Sequence, residues 1–120
     1  NNKDNYQSIA IIRLKENKGI ITALNTGLEW IDKNTTCNYI ARLDCGDICS
    51  PERYYKQIQF LSENTYISLL GSWCYFENPE KKVKFKYVTP VKHTEIENAM
   101  HFKNVFIHPT IMLRKSILEK

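Results

Sequence analysis

The stretch YIARLDCGDICSPER, Tyr39 to Arg53, runs from an apolar segment into two carboxylates and then into a helix start. Asp44 and Asp47 stand three positions apart with Gly46 between them. Two acids that close repel each other unless a cation, a hydrogen-bond donor or water separates them. NYIARL (Asn38–Leu43) reads as a buried strand, and Ser50-Pro51 as a hydroxyl cap followed by proline at the first helical position. The acids therefore lie where a strand runs out. In open α/β sheets that is where ligands bind.

Working outward, SIAIIRL (Ser8–Leu14) is β-branched and apolar, the pattern of a buried strand. From Gly19 to about Asp32, Ile20, Ala23, Leu24, Leu28 and Ile31 fall at helical spacing, and Gly27 inside that helix implies close packing against a neighbour. Tyr54, Ile58 and Leu61 give the helix after Pro51 its apolar stripe. YISLLGSWCYF (Tyr66–Phe76) reads as one long strand, NPEKK as a turn and VKFKYV as a half-exposed strand. A short helix from Thr94 to about Phe102 follows, and VFIHPTIMLR closes as an extended segment. This order predicts an α/β domain over residues 1–120 that opens with a right-handed βαβ unit.

Composition narrows the function classes. The 120 residues suffice for one compact domain, and 42% hydrophobic with 25% charged residues excludes a disordered chain. The net charge of +4 is spread along the sequence, with no basic stripe interleaved with aromatics, which argues against nucleic acid as a partner. A weakly basic face still attracts phosphates or an anionic membrane surface. Cys37, Cys45, Cys49 and Cys74 form no CxxC pair, and the three histidines lie far downstream, so reduced thiols are expected rather than a metal centre. With no apolar run of membrane-spanning length and no signal-peptide core, the reading is cytoplasmic.

The two acids admit two readings. In one they face a diphosphate, through a hard cation that takes one or two carboxylates and completes its shell with phosphate and water. In the other Asp47 charges the helix that follows, and Asp44 pairs with Arg42 or Arg53. Arg42 shares a strand face with Asp44, while Arg53 and Gln57 share a helix face suited to tying that helix to the acidic loop. By the same bland reading Lys18 is a solvated lysine, His108 a hydrogen-bonded structural histidine, and Trp73 and Tyr75 core or wall residues.

ENKGIITALNTGLEW, YIARLDCGDICSPERYYKQIQFL, LLGSWCYF and HPTIMLRKS, in that order and spacing, resemble family 2 glycosyltransferases of the GT-A fold, of the bacterial surface-polysaccharide type. The resemblance runs from about Ile11 to Ser116. It implies a partial GT-A domain, a Rossmann-like nucleotide-diphospho-sugar transferase sheet flanked by helices and lacking the first strands. By the same likeness Asn17 and Gly19, and Asn25 with Gly27, build the nucleotide-sugar side, joined by Arg42, Asp44 and Asp47. The family's acidic motif falls on Asp44, Cys45, Gly46 and Asp47, with Gly46 in place of the second acid, the usual metal ligand. A divalent cation, Mn or Mg, would rest on Asp44 and Asp47. His108 matches the HPT stretch on the acceptor side.

The implied activity is inverting transfer from a nucleotide-diphosphate sugar to a saccharide or lipid-linked saccharide acceptor, at the inner face of the membrane. The family's catalytic base follows the HPT segment, and no residue among the 120 matches it, so this segment alone is expected to be inactive. The family's first strands have no match before Ile9, which leaves a sheet edge open to self-association. The alternative is a non-catalytic nucleotide-binding or interaction domain derived from the same fold.

Overall fold

The computed structural model describes residues 9–118 apart from Pro79 and Lys81. The chain divides between Thr36 and Cys37 into two compact units. The first is built around one helix, α1 (Gly19–Asn34). Asn17 Oδ1 accepts the Gly19 N–H at 2.9 Å, and Gly19 takes φ +82°, a turn that a residue with a Cβ makes only under strain. Thr35 closes the other end, its N–H and hydroxyl both donating to Ile31 O at 3.1 and 2.8 Å.

Two expectations for this unit fail. Ile9–Leu14 is irregular rather than a strand, with Ile9 and Ile11 81% and 89% exposed, and Ser8 lies outside the described residues. A strand exists by pairing its backbone groups, and no described segment pairs with this one, so the opening βαβ unit is not formed. The second concerns Gly27. A Cβ built there meets no atom within 4 Å, so close packing does not account for the glycine.

The second unit carries β1 (Tyr39–Ala41), α2 (Arg53–Glu63), β2 (Leu69–Leu70), β3 (Cys74–Asn78), β4 (Val83–Tyr87), α3 (His93–Met100) and β5 (Met112–Arg114). Single 3-10 turns precede and follow β5, at His108–Thr110 and Lys115–Ile117. The sheet order is β1-β5-β2, with β5 antiparallel to both neighbours; Ala41 and Leu70 each face Met112. β1 and β2 run the same way, but β5 separates them, so every pairing is antiparallel where a parallel sheet was expected. β3 and β4 form a separate hairpin, in which Phe76 stacks on Phe85 and meets Tyr87 edge-on. The turn expected at NPEKK contains Pro79 and Lys81, which lie outside the described residues.

The long strand expected over Tyr66–Phe76 is broken between β2 and β3. At the break the Ser72 N–H donates to Thr110 Oγ1 at 3.1 Å instead of joining a ladder. A Cβ on Gly71 would stand 3.3 Å from the Phe106 ring, a tight approach that the ring would have to yield to. The segment around HPT, expected to be extended, makes its 3-10 turn with Pro109 in the first positions.

Helix α2 buries only one residue of its expected apolar stripe, Leu61. Gln57 and Leu61, one turn apart, are buried, whereas Tyr54 and Ile58 are 37% and 42% exposed. The helix begins at Arg53 with Glu52 before it, so Ser50-Pro51 lies in the preceding turn rather than at the cap and first helical position, and Ser50 O accepts the Arg53 N–H there at 3.0 Å. At the far end the Arg114 guanidinium donates to Leu61 O, to Asn64 O at 3.1 Å and to Ile67 O at 2.8 Å, satisfying carbonyls that a helix end leaves open. Leu61, Val105 and Met112 are the buried apolar residues of this unit.

Candidate functional site

The chain leaves β1 at Ala41 and turns through Asp44-Cys45-Gly46-Asp47, closed by the Asp47 N–H on Asp44 O at 3.2 Å. Gly46 has φ +92°, while Cys45 keeps the ordinary negative φ. That combination is a type II turn, whose third residue must adopt a conformation that glycine takes without strain. The glycine in place of an acid is therefore part of how this loop is folded.

Arg42 holds one side of the turn. Its Nε and Nη2 donate to Asp44 Oδ1 and Oδ2 at 2.9 and 3.3 Å, a two-pronged ion pair. Such geometry is stronger and more directional than a single contact. The same guanidinium reaches His108, Nη1 standing 3.1 Å from Nδ1, and His108 Nε2 lies 2.8 Å from the Asn104 amide nitrogen. Asp44 and His108, 64 residues apart in sequence, thus meet on one arginine.

Beneath this rim lies a second polar cluster. Arg53 donates to Arg42 O at 2.6 Å, to Pro109 O at 2.8 Å and to Gln57 Oε1 at 3.1 Å. Gln57, 4% exposed, donates through Nε2 to Thr110 O at 2.8 Å and Ser72 Oγ at 3.0 Å. Thr110 Oγ1 lies 3.0 Å from Ser72 O and 2.7 Å from Ile107 O while accepting from Ser72 N–H. α2 therefore fastens the end of β1 to the HPT turn; the shared face of Arg53 and Gln57, expected to tie the helix to the acidic loop, reaches Arg42 O just ahead of that loop. Ser72, Asn104 and Thr110 escaped the sequence reading. Thr110 alone left a signal, as the last letter of HPT.

Asp47 is exposed, and its carboxylate makes no hydrogen bond or ion pair among the described residues. Burial, and then the charge of Asp47, push the Cys74 thiol above its ordinary range. Burial also raises the Tyr54 hydroxyl, helped by a hydrogen bond with Cys49. Trp73 and Tyr75 are 46% and 59% exposed rather than core, and Lys86 and Lys84 respectively lie over their rings. Lys18 pairs at the surface with Glu16 at 2.9 Å. Asn17, Gly19 and Asn25 belong to the first unit, Asn17 and Gly19 in the turn that launches α1 and Asn25 exposed on that helix.

Of the two acids expected to hold a cation, Asp47 alone has a carboxylate that makes no bond among the described residues. Both oxygens of Asp44 are engaged by Arg42, Gly46 has nothing to offer, and no group of three His, Cys, Asp or Glu converges among the described residues.

Comparison with known proteins bears on all of this. Residues 2–120 match the family described as Glycosyl transferase family 2, and the chain belongs to it. It is 33% identical over 111 residues to the amylovoran biosynthesis glycosyltransferase AmsE of Erwinia amylovora, covering 92% of this chain and 40% of that protein. To the O-antigen biosynthesis glycosyltransferase WbnJ of Escherichia coli it is 34% identical over 90 residues, 72% of this chain and 34% of the other. An uncharacterized glycosyltransferase of Haemophilus influenzae shares 30% over 117 residues, 91% and 35%. The chain thus spans 40% or less of the length of these relatives. No solved structure gives a significant match. The family implies a GT-A-like α/β fold, and the mixture of helices and small sheets is consistent with part of such a domain. Its enzymes commonly use divalent cations. No helix among the described residues is long and apolar enough to cross a membrane.

Proposed function

We propose that the intact protein transfers a sugar, with inversion, from a nucleotide-diphosphate sugar to a saccharide or lipid-linked saccharide acceptor during assembly of a surface polysaccharide. Family membership over nearly the whole chain supports the transfer, and the names of AmsE and WbnJ point to polysaccharide. The observation that carries the assignment to a site is the meeting of Asp44, Arg42 and His108 at the end of β1.

The acceptor oxygen attacks the anomeric carbon while the nucleoside diphosphate departs with the bonding electrons. Residues of this segment bind and orient rather than take the acceptor proton. Arg42, steadied by Asp44, faces the donor phosphates; Asp47 assists from the open side of the turn; His108 meets the phosphates from the acceptor side. Asn17, Gly19 and Asn25 contribute to the nucleotide side. We assign the protein to the cytoplasm, working at the inner face of the membrane as a peripheral protein. The open edges of β1 and β2 give it a means of self-association.

Gly46 favours one competing reading, a non-catalytic nucleotide-binding domain of the same ancestry. A single assay separates the two. The intact protein, supplied with a panel of nucleotide sugars and glycan acceptors, should release nucleoside diphosphate and form a glycoside of inverted anomeric configuration. Binding of a nucleotide sugar with no transfer to any acceptor favours the competing reading. Failure to bind any nucleotide sugar contradicts both.

A further inference from the structure

The rim of the site holds one N–H more than its acceptors can satisfy. From Arg42 Nη1 the contacts pass to His108 Nδ1 at 3.1 Å, from His108 Nε2 to the Asn104 amide at 2.8 Å, and from Asn104 Oδ1 to the Phe106 N–H at 2.9 Å. Both ends of this chain, a guanidinium and a backbone N–H, can only donate. Between them a neutral imidazole offers one donor and one acceptor, and a carboxamide offers oxygen on one side and nitrogen on the other. However the ring proton and the amide are set, one of the three contacts places N–H against N–H.

One added acceptor removes the conflict. An oxygen lodged between Arg42 Nη1 and His108 Nδ1 accepts from both. The ring proton then resides on Nδ1, Nε2 accepts from Asn104, and Asn104 Oδ1 keeps Phe106. His108 is exposed and the Arg42 side chain keeps 16% of its surface, so their contact can be approached from solvent. The chemistry of the added acceptor is that of an oxyanion, because the arginine adds a full positive charge.

We propose that Arg42 and His108 form an oxyanion site for the diphosphate of the donor, so that its charge is met by a guanidinium and an imidazole N–H in place of a protein-held divalent cation. This rests on the sugar-transfer reading above. It also gives Gly46 a reason: once the phosphates are met by Arg42, the turn is free to use its middle position for φ +92° instead of a carboxylate.

Titration calorimetry of the intact protein with inorganic pyrophosphate and with uridine and guanosine diphosphates, in EDTA and in manganese, tests the proposal. Binding should persist in EDTA within about threefold of its strength in manganese. Arg42→Lys, which keeps the charge and loses the fork, should weaken it by at least about tenfold, and His108→Ala by roughly tenfold. Asp44→Asn removes a carboxylate that a cation would need and should leave pyrophosphate binding measurable in EDTA. Thermal unfolding of each variant separates lost binding from lost fold; if Arg42→Lys unfolds, the other two variants carry the test. Binding that needs manganese, vanishes in Asp44→Asn and ignores His108→Ala overturns the proposal and leaves sugar transfer standing. Absence of binding by any nucleoside diphosphate or nucleotide sugar overturns both.

Discussion

The buried clamp around Arg53 and Gln57 and the exposed rim around Arg42 and His108 are neighbours with opposite hydrogen-bond economies. In the clamp each donor finds an acceptor: Arg53 reaches two carbonyls and an amide oxygen, and Gln57 a carbonyl and a hydroxyl. No buried side-chain polar atom lacks a partner among the described residues. In the rim the donors outnumber the acceptors. A fully matched network fixes geometry, because breaking any member strands another in a region of low dielectric. A mismatched one at the surface waits for something to complete it. The difference separates what holds the loops in place from what those loops are held for.

The sharpest way to break the comparison is to empty the clamp. Arg53→Ala leaves Arg42 O and Pro109 O without their shared donor and should cost about 3 kcal/mol, read as a shifted urea midpoint. Pyrophosphate binding should weaken as well, since β1 and the HPT turn lose their tie. A loss under about 0.5 kcal/mol, the scale of surface substitutions, would place Arg53 with the rim instead.

Gly46→Asp restores the acid that the family pattern carries. It should destabilise by about 1 kcal/mol through strain at φ +92° and should not make nucleotide binding depend on manganese. Manganese dependence gained with unchanged stability would show that the turn tolerates an acid and that Arg42 is not its substitute.

The smallest effect concerns the open side of the turn. Because burial and the Asp47 charge hold the Cys74 thiol up, Cys74 should alkylate only at higher pH than an ordinary thiol. Asp47→Asn removes the second cause and should move the midpoint of Cys74 alkylation toward lower pH. An unchanged midpoint would put Asp47 too far from Cys74 to matter.

The sequence spoke clearly where local chemistry settles the outcome. α1 follows from helical spacing and β4 from alternation, and Arg42 was one of the two arginines expected beside Asp44, although both residues lie beyond the end of β1. It misled where partners decide. Ile9–Leu14 has the composition of a strand but nothing described to pair with, and Tyr66–Phe76 breaks because Thr110, far along the chain, takes the Ser72 N–H. Of the apolar stripe of α2, Leu61 is buried but Tyr54 and Ile58 are not, and a glutamine is buried beside Leu61, since it answers carbonyl and hydroxyl groups that no apolar residue can. Asn104 carried no pattern, because its role exists only once His108 lies beside it.

The central claim is that phosphate oxygens settle between Arg42 and His108. Side-chain ¹⁵N spectra of the intact protein, recorded in EDTA while inorganic pyrophosphate is added, address it directly. The account predicts saturable shifts of the Arg42 guanidinium signals together with movement of the His108 ring proton to Nδ1, and no such response from Arg53. Arg42 and His108 signals that stay unmoved while pyrophosphate is added, or that shift only when magnesium is supplied, would contradict it.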